Sequence, residues 1–296
     1  MIRSMTGFAT KNIVLTPATG ENIQITISIK SLNSRFFETT FKMPHIIGGL
    51  EVPLIKHLKS KLLRGHVYFT LYLNNTAPFK GEVEPALSVC KGYANAIEKI
   101  QQLIPLSGSL SVSDIVQLPH AFTVQEKELD QATYDTLLKA TDEVLALVID
   151  EQKKEGLMLA QDLKDRFAQV RKEMIVIEER SRTHIIEHKE KIAQEIPLID
   201  QADAASDARK SALYIMLDKI DIHEEIVRFK SHVETMEALI SSPDIEKGKR
   251  MDFILQELSR EINTISAKAS DATICGAAVN IKVELEKARE QAQNIV

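Results

Sequence analysis

A run of apolar residues at alternating spacings of four and three restricts the fold of this chain more than any other feature. Leu163, Phe167, Val170, Met174 and Ile177 follow one another in this way, which is the spacing of the core positions in a heptad repeat. We therefore expect a long helix over residues 155–196 with one apolar seam. That seam must pack against a returning helix of the same chain or against a neighbouring copy.

Helical periodicity also dominates the rest of the chain after residue 85. Amphipathic segments are predicted over 85–104, 112–118 and 130–152, and two further helices over 208–240 and 248–271. The only clear break near the seam is at 197–206, where Pro197 is followed by small and polar residues.

The first eighty residues instead predict strands around one helix. Residues 21–31 place isoleucine at every second position, and 36–43 and 66–74 are also rich in β-forming residues. Residues 3–8 and 12–15 add a fourth strand, and a helix over 50–63 ends at Arg64 and Gly65. The predicted class is α+β, with an N-terminal antiparallel β-sheet with helices and then a long, mainly α-helical C-terminal half. The domains expected are 1–155, a heptad arm over 156–209, and 210–296.

Composition and charge limit the class of protein further. The chain has 296 residues, of which 44% are hydrophobic and 27% charged, as in soluble globular proteins. No stretch approaches the ~18 apolar residues of a membrane span, so we expect a cytoplasmic protein. Cys90 and Cys275 lie far apart without a metal-binding spacing, which excludes a cysteine zinc site.

Charge is distributed unevenly along the sequence. Residues 1–80 contain ten Lys and Arg against three Asp and Glu, a net charge of +7, which leaves −12 of the total of −5 for the rest. A cationic region suggests a polyanion as partner. Cations interleaved with aromatic residues suit single-stranded nucleic acid, although the aromatics could equally be strand core. These residues are Arg3, Lys30, Arg35, Lys42, Arg64 and Lys80, with Phe8, Phe36, Phe37, Phe41 and Tyr68.

Two of the predicted helices carry a polar row beside their apolar stripe. If the helices pack together, the rows can share a groove whose oxygen and nitrogen groups would suit a divalent metal ion. Ordinary surface ion pairs explain the same pattern. The rows consist of Asp221, Glu225, Arg228 and His232 on one helix, and of Asp252, Gln256, Glu257, Arg260, Glu261, Asn263, Thr264 and Lys268 on the other.

Several other catalytic classes lack their motifs. The chain has no nucleophile elbow, no HExxH metal motif, and no glycine-rich phosphate loop.

Segments from both ends of the chain resemble the YicC family of bacterial proteins. At the N-terminal end these are RSMTGF at 3–8, SLNSRFFE at 31–38, and the Arg64–Gly65 pair. At the C-terminal end they are DIHEEIVRFKSH at 221–232, GKRMDFILQELSREINTISAKASD at 248–271, and EKAREQAQNI at 286–295. Met251, Val233 and Val296 depart from the family pattern, but none of them belongs to the polar rows.

The resemblance implies an endoribonuclease that requires Mn²⁺ or Mg²⁺, acts on RNA including small regulatory RNA, and forms a homo-oligomeric ring, a hexamer. Other RNA-decay proteins are further expected partners. Transferred by motif position, the catalytic residues are Glu225, Arg228, His232, Glu257 and Arg260. The metal ligands are Asp221, Glu225, His232, Glu257 and Glu261, and the RNA-binding residues are Arg3, Asn33, Arg35, Arg64 and Lys268.

The residues leave three questions open. Cleavage could use a metal-activated water, or it could use the 2′-OH of the RNA with His232 as general base. The protein could instead be a non-catalytic RNA-binding adaptor that recruits a partner nuclease. It could also be a structural assembly protein built on the heptad seam.

Overall fold

The computed structural model describes residues 2–16, 22–75, 80–104, 111–126, 130–199 and 220–296, with the single positions 108 and 211. The break predicted at 197–206 lies mostly outside these residues. So does the first part of the helix predicted over 208–240.

The N-terminal part is a four-stranded sheet in the order β1-β2-β4-β3. Neighbours pair antiparallel except β3 and β4, which are parallel. A parallel pair needs a crossover connection, and here a 3₁₀ helix at His45–Leu50 and helix α1 supply it. The elements are β1 (Gly7–Leu15), β2 (Ile23–Leu32), β3 (Phe37–Lys42), α1 (Glu51–Leu62) and β4 (Gly65–Leu73).

Strand β2 explains which face of this sheet is covered. Its isoleucines at 23, 25, 27 and 29 are fully buried and share a core with Leu54 and Leu58 of α1 and with Val144 and Val148 of helix α4. Because strand side chains alternate between faces, the polar residues of β2 lie on the opposite face of the sheet.

A smaller unit follows the sheet. Strands β5 (Lys80–Pro85) and β6 (Phe122–Glu126) pair antiparallel and flank helices α2 (Leu87–Leu103) and α3 (Val112–Val116). The β5–β6 pair was not predicted from the sequence. Several apolar side chains of the two helices are exposed, including Leu103 and Val112.

Helix α4 (Gln131–Ile199) contains 69 residues and unites the helix predicted over 130–152 with the heptad seam. Beyond the sheet it packs in a second core with α5 (His223–Ser241), α6 (Gly248–Lys268) and α7 (Ala272–Ala292). All five seam residues, from Leu163 to Ile177, are buried in this core. The seam is therefore covered within the chain. No helix in the described ranges is both long and apolar enough to span a membrane.

Segments distant in the sequence join the two parts. The Met5 N–H donates to the Asn294 carbonyl oxygen at 2.8 Å, and the Val296 N–H donates to that of Arg3 at 3.0 Å. Residues 2–5 and 294–296 are thus paired by backbone hydrogen bonds.

Helix α4 runs directly beneath this pairing. The Ser4 N–H donates to the Gln152 carbonyl oxygen at 3.0 Å. A β-carbon on Gly156 would lie only 2.2 Å from the Ile2 carbonyl oxygen, so the close approach of helix and strand requires a glycine at this position.

Candidate functional site

Helices α5 and α6 bring polar residues together along their line of contact, which we call the groove. From α6 these are Glu261 and Lys268, whereas Asp252 of the same helix lies 3.4 Å from Arg289 of α7. Lys268 Nζ lies 2.7 Å from Glu225 Oε1, and Arg228 Nη1 lies 4.0 Å from Glu261 Oε1. Both pairs cross from one helix to the other, so these parts of the rows face each other as the sequence predicted. The residue number rises from 225 to 228 on α5 while that of its partner falls from 268 to 261 on α6, so the two helices run antiparallel.

The two carboxylates of these pairs are buried. Glu225 and Glu261 expose only 7% and 6% of their surface. Among the residues that the structure describes, none forms a hydrogen bond with Glu225 Oε2. A buried polar atom without a partner costs free energy, so this oxygen would gain from a cation or a hydrogen-bond donor that enters the groove.

The other predicted site residues differ in what the structure shows of them. Asp221 is exposed; its carboxylate accepts from the His223 N–H at 2.9 Å, and its carbonyl oxygen accepts from Lys268 at 3.0 Å. His232 and Glu257 are partly buried, and extending the antiparallel register of the two ion pairs by one turn predicts that they lie opposite each other. Arg260 is exposed.

The donor atoms suit a divalent cation only in part. No three His, Cys, Asp or Glu side chains within the described ranges are close enough together to hold one ion. Glu225 and Glu261 nevertheless supply hard oxygen donors, and Mg²⁺ commonly binds through one or two carboxylates plus water and substrate phosphates. Lys268 and Arg228 now balance their charges.

A cationic cleft lies where the N-terminal sheet meets the start of α6. Its volume is about 540 Å³. Of its charged side chains only Glu246 is acidic, and the aromatic ring of Phe36 is largely exposed. The lining cations are Arg35, Lys59, Arg64, Lys249 and Arg250.

A tight turn at the end of α1 holds Arg64 in the cleft wall. Leu63 has φ 59° and ψ −51°, and the Arg64 N–H donates to the Leu62 carbonyl oxygen at 2.6 Å. This is a γ-turn of the strained, positive-φ type, in place of the helix cap predicted at Arg64 and Gly65. Arg64 Nε then donates to the Ser34 carbonyl oxygen at 3.0 Å.

Arg35 is placed by an aromatic contact. Its guanidinium lies over the Phe36 ring, 5.5 Å from the ring centroid, which is within cation–π range. The cleft therefore presents fixed cations beside an exposed aromatic ring, a combination that binds the backbone and bases of single-stranded nucleic acid.

The five predicted RNA-binding residues fall in four places. Arg35 and Arg64 line the cleft, and Lys268 lies in the groove. Asn33 donates to the Asn294 side chain at 3.1 Å. Arg3 is buried and donates to the Lys61 carbonyl oxygen at 3.0 Å, and burial lowers its pKa.

Three cleft cations were missed in the sequence. Lys249 and Arg250 belong to the Gly-Lys-Arg run that opens α6, and Lys59 lies in the last turn of α1. The adjacent Lys249 and Arg250 could have been recognised in the sequence as a basic cluster. Their position in one cleft with Lys59 follows only from the tertiary fold.

Models of one known family match almost the whole chain. The model described as endoribonuclease YicC-like, N-terminal region, matches residues 2–161, and that described as endoribonuclease YicC-like, C-terminal, matches 177–296. The chain belongs to the YicC-like endoribonuclease family. The resemblance found in the sequence motifs is thereby confirmed.

Full-length relatives agree with this assignment. A protein of Clostridioides difficile (strain 630) named probable endoribonuclease YicC is 30% identical over 300 residues, which is all of both chains. A protein of the same name from Haemophilus influenzae is 29% identical over 301 residues, again all of both chains. In this YicC-like chain the cleft draws Arg35 and Arg64 from the N-terminal motifs and Lys249 and Arg250 from a C-terminal one.

Proposed function

We propose that this chain is an endoribonuclease that holds RNA in the cationic cleft and cleaves it in the groove between α5 and α6. The observation that carries the proposal is the burial of two carboxylates, Glu225 and Glu261, each beside a cation of the opposite helix, where α5 meets α6. Helix α6 also lines the cleft. We place this reaction in the cytoplasm.

Helix α6 connects the two regions. Lys249 in the cleft and Glu261 in the groove are twelve residues apart, about 18 Å along a helix. Between them α6 presents the exposed Phe253 and Arg260. An RNA strand bound in the cleft could thus follow α6 to the carboxylates, with a ring for stacking and a cation for a phosphate on its way.

The residues have distinct roles in this proposal. Glu225 and Glu261 would hold a Mn²⁺ or Mg²⁺ ion together with substrate phosphate and water. Asp221, His232 and Glu257 stay the further candidate ligands that the family resemblance implies. When bound, such an ion polarises the phosphate and lowers the pKa of a coordinated water. Lys268 and Arg228, released from their carboxylates, are positioned to neutralise charge that develops on the phosphate, as is Arg260.

A second chemistry remains available in the same groove. His232, predicted to lie opposite Glu257, could act as the general base for attack by the 2′-OH of the RNA. The product ends separate the two routes. A 5′-phosphate supports metal-activated water, whereas a 2′,3′-cyclic phosphate supports His232.

The carboxylates provide the main test. Structured and single-stranded RNA would be incubated with wild type, Glu225→Gln and Glu261→Gln, with Mn²⁺ and with EDTA. Each of the two changes should lower the cleavage rate at least about 100-fold and leave the RNA affinity unchanged. Glu234→Gln, on the exposed side of α5, is the control and should keep the wild-type cleavage rate. Mn²⁺ should raise the melting temperature of wild type but not of Glu225→Gln. Unchanged cleavage in both variants would overturn the site.

The cleft has its own test. Replacing Arg35 and Arg64 together with Ala should lower the slope of log affinity against log salt by about two and leave the Mn²⁺-induced thermal shift intact. The matched control is Lys153→Ala on the exposed side of α4. An unchanged slope would exclude the cleft from RNA binding.

The adaptor function is favoured by one observation, the cations that already neutralise Glu225 and Glu261. It predicts salt-dependent RNA binding with no cleavage by purified protein in Mn²⁺ or Mg²⁺. Absence of any salt-dependent RNA affinity would leave only the assembly function.

A further inference from the structure

The outer face of the four-stranded sheet carries aromatic and cationic side chains. The inner face of the sheet is filled by α1 and α4, while the outer face is open in the described part of the chain. The pairing register puts Phe8 of β1 beside Lys30 of β2, Lys30 beside Tyr68 of β4, and Tyr68 beside Thr40 of β3. One row across the sheet thus alternates a ring, a cation, a ring and a hydroxyl.

Two of the rings are highly accessible, and a third is supported by its neighbours. Phe8 is 57% exposed and Tyr72 65% exposed. Tyr68 stacks on His66 with 4.4 Å between ring centroids and an angle of 8°. His66 in turn forms a hydrogen bond with Thr40, with 2.8 Å between His66 Nε2 and Thr40 Oγ1. A supported ring loses little conformational entropy when a base stacks on it.

A shallow concavity of about 330 Å³ is lined by Phe8, Tyr68 and Leu32 together with Lys30, Ser28 and Thr70. It has room for a nucleobase against a ring, and its hydroxyls can bond to a base edge or to a ribose.

The charge on this face favours a polyanion. Neither Lys30 nor Lys42 forms an ion pair with any described residue, and the nearby acid, Glu38, has His66 Nδ1 at 3.5 Å. A protein partner is less favoured, because lysine is depleted in protein interfaces, and threonine and serine hydroxyls separate the apolar rings here.

We propose that this face is a second RNA-binding site, on which a single-stranded segment stacks its bases on Phe8, Tyr68 and Tyr72 and places phosphates near Lys30 and Lys42. The inference rests on the proposed function for the identity of the polyanion. Strand β4 begins one residue after Arg64, so at ~3.3 Å per residue Tyr68 lies about 13 Å from the cleft. The face can therefore receive RNA that leaves the cleft.

The test uses two fluorescein-labelled probes, a 12-nucleotide oligouridylate and a 12-base-pair RNA duplex. Phe8→Ala and Tyr68→Ala should each weaken binding of the single strand about tenfold and leave duplex binding unchanged. Tyr68→Phe should restore single-strand binding, because the ring is kept. Lys30→Gln should lower the salt slope for the single strand by about one. Val14→Ala, on the same face but outside the concavity, is the control.

Each outcome separates this site from the cleavage site. Unchanged single-strand binding in both alanine variants overturns the stacking face, whatever Glu225→Gln does to cleavage. Weakened single-strand binding supports the stacking face even if Glu225→Gln still cleaves. Phe8→Ala or Tyr68→Ala could instead change the molar mass measured by light scattering and leave RNA binding as in wild type. This face would then be a contact between copies, and the proposal would be overturned.

Discussion

Leu63 adopts a backbone conformation that few non-glycine residues take, and it does so at the wall of the cationic cleft. Its positive φ costs of order 1–3 kcal/mol, which the surrounding core must offset. The turn continues into Gly65 at φ +116°. Together the two residues reverse the chain so that Arg64 enters the cleft while β4 enters the sheet.

Gly65→Ala should therefore destabilise the protein and disturb the cleft. The new β-carbon would lie 2.9 Å from the Leu32 carbonyl oxygen, at a φ that alanine resists. We expect a loss of about 1–3 kcal/mol in the free energy of unfolding and weaker RNA binding. Gly92→Ala in α2, where the β-carbon meets nothing within 4 Å, is the control and should be neutral or stabilising. Equal stability of the two variants in urea unfolding would contradict the strain argument.

Asp271 makes a pH-dependent contribution. It caps α7 by accepting from the Thr273 N–H at 2.9 Å and the Ile274 N–H at 3.2 Å, and Arg180 Nε donates to it at 2.8 Å. Burial alone would raise the pKa of Asp271, but the hydrogen bonds from Arg180 and from these backbone groups outweigh it and lower the pKa. A lowered folded pKa adds stability above the unfolded pKa of ~3.9.

Asp271→Asn should isolate the charged part of this contribution, since Asn caps a helix about as well as Asp. At pH 7 we expect the variant to be less stable by up to about 1 kcal/mol, because the Arg180 contact is partly exposed. Stability that wild type gains from the charge is lost as the pH falls through the folded pKa. The difference should therefore begin to shrink below the unfolded pKa of ~3.9 and close once the pH is below the lowered folded pKa. Urea titrations at several pH values measure this. A difference that persists at pH 2 would assign the loss to geometry instead.

Among the helices, α4 is the element that belongs to both cores. Its Val144 and Val148 pack under the sheet, and Phe167 and Met174 pack with the C-terminal helices. At 1.5 Å per residue such a helix is about 100 Å long. The gap between the two family models, at 162–176, lies inside this helix.

Phe167→Ala tests whether the seam is internal. Removing a fully buried phenylalanine should cost about 3–5 kcal/mol in unfolding free energy. The molar mass in solution should not change, because the seam packs within the chain. Ile175→Ala, on the exposed side of the same helix, should cost much less. A drop in molar mass with Phe167→Ala but little loss of stability would place the seam between copies.

The elements show where sequence reasoning succeeds and where it stops. Alternating isoleucines predicted β2, and the four-and-three spacing predicted the seam, because each pattern reports one buried face. The sequence predicted two helices, over 130–152 and 155–196, where the structure has the single helix α4. The need for glycine at position 156 was not predictable, because it comes from the carbonyl oxygen of Ile2, which no local pattern reveals.

For the candidate site, the sequence predicted which residues share a helix face but not which residues of different elements meet. The polar rows followed from helical spacing, but their register did not, because Glu225 could pair with several cations one turn apart. The cleft could not be foreseen as a unit. It joins Arg35, Arg64 and Lys249 from segments that only the tertiary fold brings together.

At the scale of the whole molecule, the surface available to another copy is not the one that the seam suggested. Exposed apolar side chains are instead frequent in α2, α3 and the strand before them, with Leu103 84% and Val112 79% exposed. We propose that copies associate through this unit into a ring, with six subunits as the family resemblance implies.

Leu103→Glu together with Val112→Glu should therefore lower the molar mass measured by light scattering at micromolar concentration, because buried charges oppose association. Met158→Glu is the control, because it replaces an exposed apolar side chain of α4 outside this unit. It should leave the molar mass unchanged. A monomeric wild type would remove the ring. An oligomer unaffected by the double variant would place the contact elsewhere.

The backbone pairing between residues 2–5 and 294–296 has a consequence for synthesis. Contacts between the most distant parts of a sequence carry the largest loop-closure cost and form late. Val296 itself lines the cleft, and its backbone oxygen accepts from the Gly248 N–H at 3.1 Å. During synthesis the cleft therefore has no complete wall until residues 294–296 have paired with residues 2–5, so its shape depends on one of the last contacts to form.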